Sequence, residues 1–316
     1  MLKTFQKNTA LFAALCVSAI SVAQSPLSAK QMLLQMPKAG TSLNYEMAFF
    51  KATPVNIESL RYRHLTLGGK NYAQLVSLDG AQHEIIQRDN LISYFQANYQ
   101  PFTINSQQIV DSLPTIIHSD FNRLEKYYDF VNMGRNRVAD RLVQTIRILP
   151  KDDFRYQYVA FIDEENHLLL QSDLLDRDGN LLEQFRVVHL YVGEGLKGLA
   201  DYLENISYPP LLMDKKEEKT PKLNWKTSWL PQGFELIKQQ NGIDGDSHVE
   251  SQLYSDGLFS FTLYVADPIH GNELDNTWKQ GAYTIYSETI QGKEVTFIGQ
   301  LPISTAKRIV QDIQFK

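Results

Sequence analysis

Between Asn44 and Tyr191, apolar and polar residues alternate in short segments separated by turn residues, and this period of two constrains the fold more than any other feature. Successive side chains of a strand point to opposite faces, so the alternation calls for a sheet with one buried and one wetted face. Candidate strands cover 42–51, 57–65, 72–78, 83–88, 91–96, 142–149, 155–163, 168–175 and 181–192. Leu78-Asp79-Gly80, Arg88-Asp89-Asn90 and Asp176-Arg177-Asp178-Gly179-Asn180 supply the residue types that tight hairpins need. Helical spacing appears at 30–36, 196–204 and 112–128. In the 112–128 stretch Leu113, Ile116, Ile117, Phe121 and Leu124 recur on one face, Pro114 suits the first turn and Ser112 the N-cap. This order favours one antiparallel sheet with helices on a single face over alternating βαβ units.

At the N-terminus, Lys3 and Lys7 precede an apolar run from Ala10 to Ala19 and a small-residue site at Ser21-Val22-Ala23, the pattern of a signal peptide over 1–23. The run is too short to span a bilayer. Cleavage leaves 293 of the 316 residues and discards Cys16, the sole cysteine, so the mature chain is expected to form no disulfide, thiol nucleophile or zinc-thiolate site. It also removes two lysines and no acids, moving the net charge from -5 to -7, which excludes a general nucleic-acid binder. Over 208–221 periodicity gives way to proline and charge, which reads as a linker between a domain at 24–207 and another at 222–316. The second domain shows strand patterns at 249–254, 258–266, 282–289 and 294–300 and a helix at 304–313. The fold class expected is α+β, mostly antiparallel β. All three tryptophans fall in the second domain, whose folding their fluorescence is expected to report alone.

The motif matches carry little chemistry. Gly193-Glu194-Gly195-Leu196-Lys197-Gly198 fits a dinucleotide fingerprint literally, but the sheet around it reads antiparallel and no βαβ unit follows. Asp176 to Asn180 begins like a calcium loop with its glycine two positions early, and Gln87 stands where a zinc site opened by His83-Glu84 needs a second histidine. No nucleophile elbow or P-loop occurs. The expectation is a protein that is not an enzyme, with no cofactor and no metal.

Two features suit ligands. Tyr45, Phe49, Leu60, Tyr62, Val76 and Tyr94 lie at alternating positions of the first strands, either a face covered by the chain's own helices or the wall of a concave cavity for acyl chains. Arg135, Arg137, Arg141 and Arg147 form a basic group opposed in sequence only by Asp140, either a solvated hairpin face or a seat for an anionic headgroup. Arg61 and Arg63 repeat the pattern on an earlier strand.

Several stretches, in order along the mature chain, resemble the RseB/MucB family of periplasmic negative regulators of the envelope-stress sigma factor. They include Glu58-Ser59-Leu60-Arg61-Tyr62-Arg63-His64, Ile109-Val110-Asp111-Ser112-Leu113-Pro114 and Tyr127-Tyr128-Asp129-Phe130. Asp173-Leu174-Leu175-Asp176-Arg177-Asp178-Gly179, Leu182-Glu183-Gln184-Phe185-Arg186-Val187, Trp229-Leu230-Pro231-Gln232-Gly233-Phe234, Leu253 to Phe261 and Thr305-Ala306-Lys307-Arg308-Ile309 continue the match. The resemblance implies an N-terminal unclosed β-barrel similar to LolA and LolB, with helices across its opening, and a C-terminal α+β domain contacting the anti-sigma factor. It further implies binding of the periplasmic part of RseA, protection of RseA from the protease DegS, and displacement by lipopolysaccharide or another acyl lipid. A periplasmic lipid or lipoprotein carrier of the LolA type is the alternative reading, and homo-oligomer formation is left open.

Overall fold

The structure is a computed structural model that describes residues 27–110, 112–212, 221–244, 247–268 and 276–316. The expected signal peptide, Asp111 and most of the expected linker lie outside the described residues. Helix α1 (Ala29–Ser42) leads into strands β1 (Tyr45–Thr53), β2 (Asn56–Leu67), β3 (Lys70–Ser77), β4 (His83–Arg88), β5 (Leu91–Gln96) and β6 (Phe102–Asn105). A 3-10 turn at Thr115–His118 and helix α2 (Phe121–Leu124) precede β7 (Tyr128–Val138), β8 (Arg141–Pro150), β9 (Gln157–Asp163), β10 (Leu169–Leu175) and β11 (Leu181–Val192), and α3 (Lys197–Asn205) follows. These eleven strands form one unclosed antiparallel sheet in the order β6-β5-β4-β3-β2-β1-β11-β10-β9-β8-β7. Pairing of β1 with β11 joins its two halves, with a bulge between Ala48 and Phe49.

After residue 220 come β12 (Trp225–Thr227), β13 (Glu235–Asp244), β14 (Ser247–Ser255), β15 (Ser260–Ala266), β16 (Asn276–Gln280), β17 (Tyr283–Ile290), β18 (Lys293–Gly299), α4 (Ile303–Gln311) and β19 (Ile313–Phe315). Six of these strands form a second sheet in the order β13-β14-β15-β18-β17-β16, while β12 pairs with β19. The mostly antiparallel α+β architecture is therefore as expected from the alternation. No helix among the described residues is long and apolar enough to cross a membrane.

The local chemistry explains the elements that cover the first sheet. Ser28 and Gln31 form a capping box at the start of α1, and Met32, Leu33, Met36 and Ala39 on its inner face are buried. The expected helix over 112–128 is instead two short pieces. Ser112 has φ +56° and does not take the cap position, which in the 3-10 turn falls to Pro114, whereas Asp120 accepts from the Asn122 amide and starts α2. The apolar spacing across this break still buries Ile116, Ile117, Phe121 and Leu124, because both pieces lean on the same core. One contiguous core cluster runs from α1 through the first sheet to the second sheet and α4.

Candidate functional site

Registry places five of the six proposed acyl-chain residues on one face of the first sheet. Met47 pairs with Tyr62, Tyr62 with Leu75, Leu75 with Ile85 and Ile85 with Tyr94, so these side chains form a single cross-strand row. Tyr45 and the Phe49–Leu60 pair sit beside that row on the same face. Val76 pairs with Arg61 and Glu84 and belongs to the opposite face, so the structure does not bring it together with the rest.

That face is occupied by the chain's own side chains. Tyr45, Phe49, Leu60 and Tyr62 are buried in one cluster with Leu33 and Met36 of α1 and with Ile116 and Phe121. Phe49 tilts against Phe185 at 4.8 Å and Tyr45 against Tyr62 at 5.8 Å. Burial drives the phenol pKa of both tyrosines upward, which keeps them neutral. Tyr94, half-buried and stacked on Phe102 at 4.9 Å, is the member nearest to solvent.

The arginine group divides in a similar way. Arg135 pairs with Gln144 and Arg137 with Leu142, whereas Arg141 and Arg147 occupy alternate positions of β8 and point to its other face. Each already has a polar partner. Arg135 meets Glu164 at 2.7 Å, Arg137 meets Asp140 at 2.8 Å, and Arg141 lies between Asp163 and Glu165. The Arg147 guanidinium donates to Gln157 at 3.1 Å. Three of the carboxylates come from the end of β9 and the turn after it, so Asp140 is not the sole acidic neighbour. Arg63 is engaged likewise, with Glu46 at 2.6 Å and Gln74 at 3.1 Å.

The most concentrated polar chemistry lies where the two sheets meet, and sequence reasoning missed it. Arg155 precedes β9, and its side chain is sealed from solvent. Its Nε faces Asp256 at 3.3 Å, its guanidinium also donates to the Gln232 carbonyl, and Asp152 stands 3.4 Å away. Asp256 belongs to the turn between β14 and β15 and is equally buried. One of its oxygens accepts from the Leu258 and Phe259 amides at 2.8 Å each, and the other accepts from the Tyr128 hydroxyl at 2.5 Å. Burial, together with the Asp256 charge, pushes the Tyr128 phenol well above its ordinary pKa, so it remains a donor. The Tyr128 and Phe234 rings each lie 5.2 Å from the guanidinium carbon.

Neighbouring contacts extend this seam. Ser119 donates to the Gly257 carbonyl and Thr305 to the Phe154 carbonyl, both at 3.0 Å. Trp229 packs edge-on against Phe154 at 4.8 Å while Arg308 covers its face at 3.7 Å. Trp229 therefore reports on the junction as well as on its own domain. Gly233 takes φ +90°, and a Cβ there would lie 2.6 Å from the Tyr127 ring, so only glycine permits this approach. Sequence gave one signal: Ser255-Asp256-Gly257 is a turn by residue type, and the second duty of its aspartate depends on a partner about a hundred residues earlier. Farther along the junction a cavity of about 270 Å³ opens between the β1–β2 hairpin and the outer strands of the second sheet.

Comparison with known proteins covers the whole architecture. The MucB/RseB N-terminal domain model matches residues 28–212 and the MucB/RseB C-terminal domain model residues 219–314. The sigma-E factor regulatory protein RseB of Haemophilus influenzae is 58% identical over 98% of both chains, and that of Escherichia coli K12 43% identical over 90% of both. A crystal structure of MucB in complex with MucA(peri) superposes with a TM-score of 0.73 at 25% identity, covering 92% of this chain and 99% of that one.

Proposed function

The chain belongs to the MucB/RseB family of sigma-factor regulatory proteins, and we propose that it binds the periplasmic domain of an RseA-type anti-sigma factor. Bound there, it shields that domain from DegS, and lipopolysaccharide or another acyl lipid displaces it. The site of action is the periplasm, reached through the signal peptide at 1–23, and the domain division is 24–207 and 222–316 around the linker.

The observation that carries this reading is the likeness, across both domains, to a MucB chain solved in complex with MucA(peri). The role requires recognition and no bond-making step, which suits a chain whose buried charges pair with one another. The lipid-carrier alternative draws little support from a sheet face buried beneath α1 and α2. For lipid to act there, either that cover moves or the acyl chain enters near half-buried Tyr94. Arg135 and Arg137 are the arginines best exposed to receive a phosphate, at the expense of their carboxylate partners.

The test is a cleavage assay with purified RseA-type periplasmic domain and activated DegS. Cleavage should slow in proportion to occupancy by this chain and recover when lipopolysaccharide is added. Tight binding without any slowing would remove the protective role, and protection indifferent to saturating lipid would remove the displacement step.

A further inference from the structure

Resting on that reading, we propose that the cavity between the domains receives one aliphatic or aromatic side chain of the anti-sigma segment, whose main chain runs along the outer edge of β16. The floor is a cross-strand row: Trp278 pairs with Ile285 and Ile285 with Ile298. This row occupies the face of the second sheet turned away from α4, since Lys307 of α4 covers the Tyr286 ring on the other face. Trp278 is 51% exposed, an unusual state for a tryptophan beside two isoleucines. The opposite wall comes from the first domain, with Lys51, Asn56 and Glu58 on the β1–β2 hairpin.

Three features select a polypeptide as the occupant. The volume of about 270 Å³ suits a single large side chain, well below what a diacyl lipid fills. β16 is an edge strand, bonded among the described residues to β17 alone, and an edge of free amides and carbonyls recognises main chain rather than hydrocarbon. Glu58 has Asn56 Nδ2 at 3.0 Å and stands opposite Lys51, whose ammonium lies 3.4 Å from Glu183, so this wall holds two carboxylates against one lysine and favours a lysine or arginine next to the anchor. The walls are also preset: Gly281 has φ +57°, and a Cβ there would meet the Leu182 carbonyl at 3.1 Å, so the domains abut closely at this point. A segment held here reads both domains at once and binds only while they are docked.

The test measures affinity of the full mature chain for the purified periplasmic domain of its cognate RseA-type anti-sigma factor by calorimetry, with circular dichroism confirming fold. Asn56→Trp, at an exposed hairpin position, plugs the mouth, and Ile285→Glu charges the floor. Each should weaken binding tenfold or more, while Met133→Glu on distant β7 leaves it unchanged. If Ile285→Glu fails to fold, Asn56→Trp decides alone. Unchanged affinity in Asn56→Trp overturns the cavity assignment, as does equal loss in Met133→Glu. Competition by dodecyl maltoside that Asn56→Trp abolishes overturns it in favour of an acyl occupant. A wild-type chain that does not bind the domain at all overturns the proposed function itself, and the cavity assignment falls with it.

Discussion

The interior beneath α1 and the seam between the two sheets are both sealed from water, yet opposite chemistry fills them. Under the helix, Leu33, Phe49, Leu60, Ile116 and Phe121 make non-directional apolar contacts. Such a cluster stabilises in proportion to area and tolerates small shifts of one element over another. At the seam, Arg155 and Asp256 are a fully buried ion pair, with the carboxylate held by a phenol and two amides and one guanidinium nitrogen held by a carbonyl. A buried ion pair adds little net stability over a packed apolar pair, because desolvation offsets the Coulomb gain, but any slip that separates the partners strands a charge. The apolar interior secures the first domain, and the charged seam fixes how the second docks on it.

The largest effect should therefore follow removal of one seam partner. Asp256→Ala leaves the Arg155 guanidinium buried without its fully buried carboxylate, with only Asp152 at 3.4 Å beside it, and should cost about 3 kcal/mol in urea unfolding. In the wild type, tryptophan fluorescence and far-ultraviolet circular dichroism should report one coincident transition, since Trp229 packs against Phe154 of the first domain. In Asp256→Ala the fluorescence transition should come first. The double variant Arg155→Met with Asp256→Leu should regain only part of the loss, because it removes the stranded charge but leaves the Leu258 and Phe259 amides and the Tyr128 hydroxyl without their acceptor. A single substitution costing under about 1 kcal/mol, with transitions still coincident, would mean the seam does not set the docking.

Leu33→Ala makes the complementary cut, deleting a fully buried side chain from the cover over the first sheet. A loss of about 3 kcal/mol is expected. Here the two probes should stay coincident, because the seam is intact. Split transitions in this variant would erase the distinction drawn between the regions.

The same contrast explains what the sequence revealed. Alternation is local, so β4, β5 and β11 fell where the pattern put them, and the antiparallel architecture followed. β7 was hidden because it is an edge strand carrying Asp129, Asn132, Arg135, Asn136 and Arg137, wetted on both faces and free of any alternation requirement. Helical spacing over 112–128 identified the right buried residues but not the break at Ser119 and Asp120, where a side-chain cap outcompetes helix continuation. Val76 was misplaced because reading alternate positions within a strand does not fix register between strands, and a one-residue offset changes the face. The seam joins turns and loops from two domains, and nothing periodic marks such residues.

Each region also contains a histidine withdrawn from water, His64 buried and His118 half-buried, that makes stability depend on pH. His64 sits among the residues beneath α1, stacked on Tyr45, and His118 lies next to Ser119, which bonds across the seam. Burial lowers both pKa values from 6.5, outweighing hydrogen bonds to the Leu43 and Ile109 carbonyls. The unfolded chain therefore binds protons near pH 6.5 that the folded chain refuses. Stability should be flat above about pH 7 and fall below about 6.5, by up to about 1.4 kcal/mol per histidine per pH unit until the folded-state pKa values are reached. Urea unfolding between pH 5 and 8 checks this, and His64→Gln with His118→Asn should flatten the slope. An unchanged slope in the double variant would assign the acid sensitivity to other groups.

The smallest effect on stability, and the sharpest contrast with Arg155, belongs to Arg137. Its partner Asp140 is 2.8 Å away, but the two side chains are 60% and 94% exposed, so water solvates either charge when the other is lost. Arg137→Ala should change the unfolding free energy by less than about 0.5 kcal/mol, against several for the seam. Cheapness of this kind is what an anion-binding role requires, because a phosphate can take the place of Asp140 without stranding a charge. If lipid phosphates use this hairpin, Arg135→Ala with Arg137→Ala should raise the lipopolysaccharide concentration needed to restore DegS cleavage, most clearly at low salt, while anti-sigma affinity stays as in the wild type. If lipid sensitivity is unchanged, the pairs with Glu164 and Asp140 are only the charges of a solvated edge strand, and the signal enters elsewhere.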